Sequence, residues 1–201
     1  MAVVSRGFGG RRQVDPQVPP GQYRTDDFPV LTAGPTPLIG TVNWTLDVTG
    51  VDGASHSVSW QQLMALPVED VTVDLHCVTK WSKLGTRWRG VPVAEVLGAV
   101  GADLEGVEYV MAHSHGGYTT NLPLRDLLHG QAWVAFEFDG SALAAAHGGP
   151  ARLLVPHLYL WKSAKWVNGL ELLREDRLGF WENFGYHPYG DPWREQRYAG
   201  D

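Results

Sequence analysis

From Thr41 onward the chain changes repeatedly between two hydrophobic periods. "TVNWTLDV" alternates apolar and polar positions and predicts a strand, with "TGVDG" as the turn after it. "SVSWQQLMAL" predicts a short helix capped by Ser57 or Ser59 and ended by Pro67. In "VTVDLHC" the residues Val71, Val73, Leu75 and Cys77 fall on one face of a strand, which turns Cys77 inward at the strand's end. "VPVAEVLGAVG" reads as a short helix closed by Gly98 or Gly101, "GVEYVMAHS" as a strand, and "PLRDLLHG" as a helix between Pro123 and Gly130. "AWVAFEFDG", "ARLLVP" and "AKWVNGLELL" predict three further strands, and "WENFGYHPYGDPW" an aromatic tail covering a face. Short strands broken by short helices predict an α+β fold built on a mixed sheet.

Residues 1–37 lack this periodicity and read as an extended arm on a single domain of residues 38–201. "FPVLTAGPTP" (28–37) is apolar enough to pack down on that domain. With 201 residues and 44% hydrophobic content, one sizeable core is expected. A net charge of −6 argues against a nucleic-acid partner. One cysteine excludes an internal disulfide and suits a reducing cytoplasm. Arg11-Arg12 are followed by Gln, Asp and Pro instead of an apolar run, and no window is long enough to span a membrane, so a cytoplasmic protein without a membrane partner is expected. Nucleotide loops of the Gly-x-Gly-x-x-Gly and Walker types are absent.

The candidate chemistry centres on "DLHCVTKWSKLGTRWRGVPV". Cys77 has three readings: a buried filler, a thiol nucleophile, or a thiolate ligand. A nucleophile needs a base from His113, His115, His147 or His157, because adjacent His76 points to the opposite face. Zinc is disfavoured by the lack of a second cysteine. A single thiolate suffices where an organic cofactor supplies the remaining ligands, as a pterin dithiolene does for molybdenum. Such a pterin ends in a phosphate, for which Arg152, Lys162, Ser163 and Lys165 are candidate partners. The four lysines come in two pairs, Lys80/Lys83 and Lys162/Lys165, and one reading has both loops converging on one anion.

The run "HCVTKWSKLGTRWRGVPVAEVL" resembles the catalytic segment of sulfite oxidase-type molybdopterin oxidoreductases. The similarity is greatest to cytosolic relatives of the bacterial methionine sulfoxide reductase catalytic subunit, whose Cys-Val-x-x-Trp-Ser appears as Cys77, Val78, Trp81 and Ser82. It continues in order through "YVMAHS", "GGPARLLVP", "WKSAKWV" and "GFWENFGYHPYGDPW". The resemblance implies a single-domain, barrel-like mixed-sheet fold with short helices and a molybdenum–molybdopterin cofactor. It implies Cys77 as the molybdenum ligand and Ser114, His147, Arg152, Ser163, Ala164 and Lys165 as cofactor contacts. His147 stands where the family's "NGAPVR" has Asn. The family's N-terminal contacts would fall near Phe28–Leu31, where its typical Asn and Tyr are missing. Lys80, just past Cys77, becomes the candidate contact for a substrate anion. The implied activity is two-electron oxygen-atom transfer on a small sulfur- or nitrogen-containing substrate, with electrons exchanged through a soluble partner that the sequence does not name. The alternatives are a metal-free Cys–His thiol enzyme and a non-catalytic carrier of the molybdenum cofactor.

Overall fold

The computed structural model describes residues 15–201. Residues 1–14, with the Arg11-Arg12 pair and the start of the expected arm, lie outside the described residues. The strands are β1 (Tyr23–Arg24), β2 (Thr45–Thr49), β3 (Ser55–Ser59), β4 (Glu69–His76), β5 (Trp81–Pro92), β6 (Tyr109–Ser114), β7 (Thr119–Pro123), β8 (Trp133–Phe138), β9 (Ser141–Ala142), β10 (Arg152–Leu154) and β11 (Val167–Leu173). The α-helices are short: α1 (Trp60–Met64), α2 (Val93–Ala99) and α3 (Phe180–Asn183).

Two mixed sheets form. The first runs β1-β5-β8-β10, with β4 also on β5 and β9 on β8, and the second runs β3-β2-β11-β6-β7. Each contains one parallel pairing, β1 with β5 and β2 with β11. No strand is shared between them, so the sheets stay open and the expected barrel-like closure is corrected to two separate layers.

Side-chain alternation along the first sheet explains where the cores lie. On β8, Val134 and Phe136 enter a core with Leu46, Val48, Val110 and Leu170 of the second sheet. Trp133 and Ala135 point the other way, into a smaller core with Leu75, Cys77, Trp81, Trp88 and Leu154. On β10, Leu153 joins the first core and Leu154 the second. Arg152 has the parity of Leu154, so it emerges on the same face as Cys77. The sheet is thus a partition, and its outer face gathers the thiol, an arginine and a group of tryptophans.

Several sequence expectations change in detail. Ser59 caps α1 in a reciprocal capping box with Gln62, but Ser57–Ser59, expected to begin the helix, are the end of strand β3. The loop expected after Cys77 is confined to the turn at residues 78–80, and from Trp81 the chain is already the 12-residue β5. There Thr86 and Trp88 point inward while Arg87 and Arg89 stay exposed. "PLRDLLHG" forms only a 3₁₀ turn, Leu124–Leu127, because six residues between Pro123 and Gly130 are too few to repay helix nucleation.

β5 and β8 approach closely at Gly90, where an added Cβ would stand 2.8 Å from Val134 O and 2.9 Å from Ala135 Cα. Both neighbours are backbone and have no room to retreat. Gly90→Ala is therefore expected to destabilise the fold by about 1–3 kcal/mol and lower Tm by several degrees. Thermal unfolding followed by circular dichroism checks this, and an unchanged Tm would contradict the close approach.

Candidate active site

Cys77 ends the run of β4 and begins a tight turn. Lys80 N donates to Cys77 O, Cys77 N donates to Trp81 O, and Gln22 Nε2 donates to Cys77 O at 3.1 Å. The turn requires a positive φ of 76° at Lys80 and leaves its side chain exposed. Cys77 itself is only 6% exposed, and its Sγ lies 3.1 Å from Thr79 Oγ1. Burial pushes the thiol pKa up, against smaller opposing contributions from the Thr79 and Val78 hydrogen bonds. Lys80 and Lys83 do not overcome this: one is exposed, and Lys83 Nζ donates to Asp26 O. No histidine among the described residues is hydrogen-bonded to Sγ. The ring of His76 is directed to Ser82 Oγ at 2.8 Å and packs against Trp193. The Cys–His dyad of the nucleophile reading is therefore not assembled.

The thiol opens on a cavity of about 550 Å³ whose lining also includes His147, Arg152, Ser163 and Lys165. Arg152 is 2% exposed, and its guanidinium donates only to carbonyls: Ser163 O at 2.7 Å, His147 O at 3.0 Å and Leu153 O at 3.4 Å. It lies over the Trp88 ring at 5.7 Å, and burial lowers its pKa to about 10. Lys165 Nζ donates to Ala146 O at 2.9 Å and stands 4.8 Å from the Trp166 ring centroid. Its pKa falls to about 8 through burial first and the Arg152 charge second. Neither cation is paired with a carboxylate among the described residues. The same causes, in the same order with Lys165 added, lower the His147 pKa and keep its imidazole neutral near pH 7. Gly148 makes the cluster possible: at φ 110°, an added Cβ would meet the Cβ atoms of Arg152 and Lys165 at 3.0 Å.

Ser163 Oγ accepts from Val155 N at 2.8 Å, and Ala164 packs its methyl into the main core while its carbonyl accepts from Leu153 N. Ser114 Oγ is buried without a partner at the end of β6. Cavity-lining His115 Nε2 and Trp81 Nε1 are likewise buried and unpartnered. These three atoms, two in the cavity lining and Ser114 Oγ just outside it, are groups that a polar ligand in the cavity could satisfy.

The two lysine loops do not converge. Lys162, one of the candidate phosphate partners, is fully buried and turned away, 2.6 Å from Glu182 Oε1. It also donates to Asn121 O, Asn121 Oδ1 and Pro188 O. Lys80 is not part of the cavity lining, so the geometry gives no contact from it to a substrate held there. Of the four lysines only Lys165 reaches the site. Phe28, Pro29 and Leu31, from the stretch where the resemblance puts the family's N-terminal contacts, line the cavity, whereas sequence reading missed Tyr118, Trp161, Phe180, Trp181 and Tyr186 in its wall. The aromatic tail was legible as a cover, but which of its rings turn inward depends on packing.

The sequence profile of the family described as "Oxidoreductase molybdopterin binding domain" matches residues 33–181. The chain belongs to that family. It is 41% identical over 197 residues to "Uncharacterized oxidoreductase YuiH" of Bacillus subtilis (strain 168), covering 96% of this chain and 99% of that one. It is 32% identical over 152 residues to "Putative protein-methionine-sulfoxide reductase subunit YedZ1" of Azospira oryzae, covering 76% of this chain and 57% of that protein. Against "Sulfite oxidase, mitochondrial" of Rattus norvegicus the identity is 26% over 180 residues, 76% of this chain and 33% of the rat protein. The crystal structure of the sulfane dehydrogenase SoxCD from Paracoccus pantotrophus shares the fold, with a TM-score of 0.62 at 19% identity over 70% of this chain and 40% of that one.

The protein is thus an oxidoreductase of the sulfite oxidase family, and its cofactor is a molybdenum–molybdopterin. The residues present fit that group. A soft sulfur stands in one part of the cavity, and two cations without acidic partners stand in another, matching a metal and a phosphate carried on one molecule.

A phosphate held against Lys165 would raise its pKa, so binding there would be strongest while Lys165 is protonated and would weaken as pH rises above about 8. Lys165→Gln is expected to reduce cofactor affinity about tenfold and to remove this pH step. Cofactor dissociation followed by pterin fluorescence between pH 6 and 9 provides the check; an unchanged pH profile in the variant would contradict it.

Proposed function

We propose that the protein catalyses two-electron oxygen-atom transfer on a small sulfur- or nitrogen-containing substrate, reducing a sulfoxide or N-oxide or oxidising a sulfite-like species. The observation that carries this reading is the single cavity in which the lone thiol and the uncompensated Arg152/Lys165 pair occur together. The cofactor, when bound, supplies the two-electron redox change that this chemistry requires. Cys77 would hold the molybdenum as a thiolate, which offsets the cost of ionising a buried thiol. Arg152, Lys165 and Ser163 would hold the phosphate end, with neutral His147 and Ser114 contacting the pterin and Ala164 contributing backbone only.

The chain's own groups then set access and proton supply. Trp161, Phe180, Trp181 and Tyr186 give the free part of the cavity an aromatic wall that excludes water and favours a substrate with an apolar substituent. Tyr186 brings a hydroxyl to the same cavity as Cys77, and burial followed by the neighbouring Tyr198 and Cys77 charges raises its pKa. It therefore keeps its proton at neutral pH and is able to donate to an oxygen atom on the substrate. Reduction of a sulfoxide consumes two electrons and two protons and releases water. The electrons would come from a redox carrier, and no helix among the described residues is long and apolar enough to cross a membrane.

Reduced viologen as donor against sulfoxides and N-oxides, and ferricyanide as acceptor against sulfite, test the reaction class directly. Cys77→Ser is expected to leave Tm near wild type, lower molybdenum per chain, and cut turnover on the order of a hundredfold as a harder oxygen replaces the soft thiolate. Wild-type molybdenum content and rates in that variant would remove Cys77 as the ligand.

A further inference from the structure

Around the cradle of His147, Arg152, Ser163 and Lys165 the cavity has four further walls, and they differ in how they are fastened. The Cys77 turn is tied through Cys77 N to Trp81 O, Lys80 N to Cys77 O, and the Gln22 side chain. The turn at residues 114–118 is tied by Gly117 N to Ser114 O, His115 N to Trp166 O, and Tyr118 Oη to Trp161 O. The tail carrying Phe180, Trp181 and Tyr186 is fixed by the buried Lys162–Glu182 pair. Glu182 Oε1 also accepts from Thr120 Oγ1 at 2.9 Å and Trp161 Nε1 at 3.0 Å.

The fourth wall is the segment 28–37, which lines the cavity with Phe28, Pro29, Leu31 and the run from Thr32 to Pro35. From Asp27 to Ile39 its backbone makes no hydrogen bond to another element's backbone among the described residues. Among the described residues its hydrogen bonds are local: Asp27 N donates to Thr25 Oγ1, and Thr32 Oγ1 bonds the backbone of Gly34. Every residue from Val30 to Thr36 is exposed on its outer side. The segment is therefore held at its ends. At the far end Ile39 packs on the main core, and at the near end Phe28 inserts into the smaller one. Phe28 stacks on His147 with ring centroids 4.0 Å apart and planes 13° apart, and meets Trp81, Trp88 and Phe138 at 6.2, 6.1 and 5.1 Å.

We infer that the strap of residues 29–37 is the door through which the molybdopterin enters and leaves, with Phe28 as its latch and as the positioning residue for the His147 ring. Opening the strap breaks apolar contacts and no ladder hydrogen bond, whereas opening any other wall breaks buried polar bonds. The latch closes on a residue placed at the cofactor, so a seated cofactor that orders His147 also orders the strap. This inference rests on the cavity being the molybdopterin site.

Limited proteolysis with thermolysin on the holoenzyme and on cofactor-stripped protein tests the door. Cleavage within Val30–Thr36 is expected to be about tenfold faster without cofactor than with it, because a released strap can extend into a protease, while cleavage within residues 180–190 changes little. Phe28→Ala in the holoenzyme is expected to speed cofactor release about tenfold, with Phe28→Trp close to wild type. The inference is overturned if the 180–190 segment becomes more susceptible to cleavage on stripping and the strap does not. It is equally overturned if folded Phe28→Ala releases cofactor at the wild-type rate. Both outcomes require protein that binds molybdopterin, so they defeat the door and leave the cofactor site standing; purified protein that takes up no molybdopterin defeats the cofactor site itself.

Discussion

Two cations, Arg152 and Lys165, are held side by side in a largely desolvated site, with backbone carbonyls as their hydrogen-bond partners and no acid opposite them among the described residues. Burial without a counterion is unfavourable, and both lowered pKa values express that cost. The arrangement persists because the surrounding backbone enforces it. Gly148 lets two turns close over each other, and β10 presents Arg152 on the outer face of the first sheet. A site that keeps two positive charges waiting is a site for an anion, and the thiol on the same sheet face limits which anion-bearing molecule belongs there.

Lys162 shows what the same type of charge looks like when the fold itself satisfies it. Three residues from Lys165, it has a carboxylate, an amide oxygen and two carbonyls as partners. Its network fastens β7, the 159–165 loop and the C-terminal tail to one another. The tail is thereby made a fixed wall, and motion at the cavity is left to the strap that lacks such fastening. Structural and functional charge are separated here by what faces them, not by distance in the sequence.

That separation explains how much was legible from the residues. The alternation of Val71, Val73, Leu75 and Cys77 was readable, and the structure places Leu75 and Cys77 in one core with Val71 and Val73 packed against it. β5 was not readable as a strand because Lys83, Leu84 and Gly85 interrupt its alternation before Thr86 restores it, with Gly85 at φ 64°. The spacing of "KWSK" and "WKSAK" suggested convergence, yet Glu182 lies twenty residues beyond Lys162 and only tertiary packing reveals the pair. Likewise, Lys80 sits next to the thiol in sequence but the turn's positive φ carries it outward. Motif order carried the cofactor and pointed to the stretch that begins at Phe28; which rings form the aromatic wall, and that Phe28 stacks on His147, had no one-dimensional signature.

The central claim is that one ligand joins Cys77 to the Arg152/Lys165 pair. Anomalous diffraction at the molybdenum edge from crystals of the purified protein tests it most directly. The account predicts a single anomalous peak within bonding distance of Cys77 Sγ, and continuous density from it to a phosphate against Arg152 and Lys165. Molybdenum bound elsewhere, or a phosphate end lying away from those two cations, would contradict it.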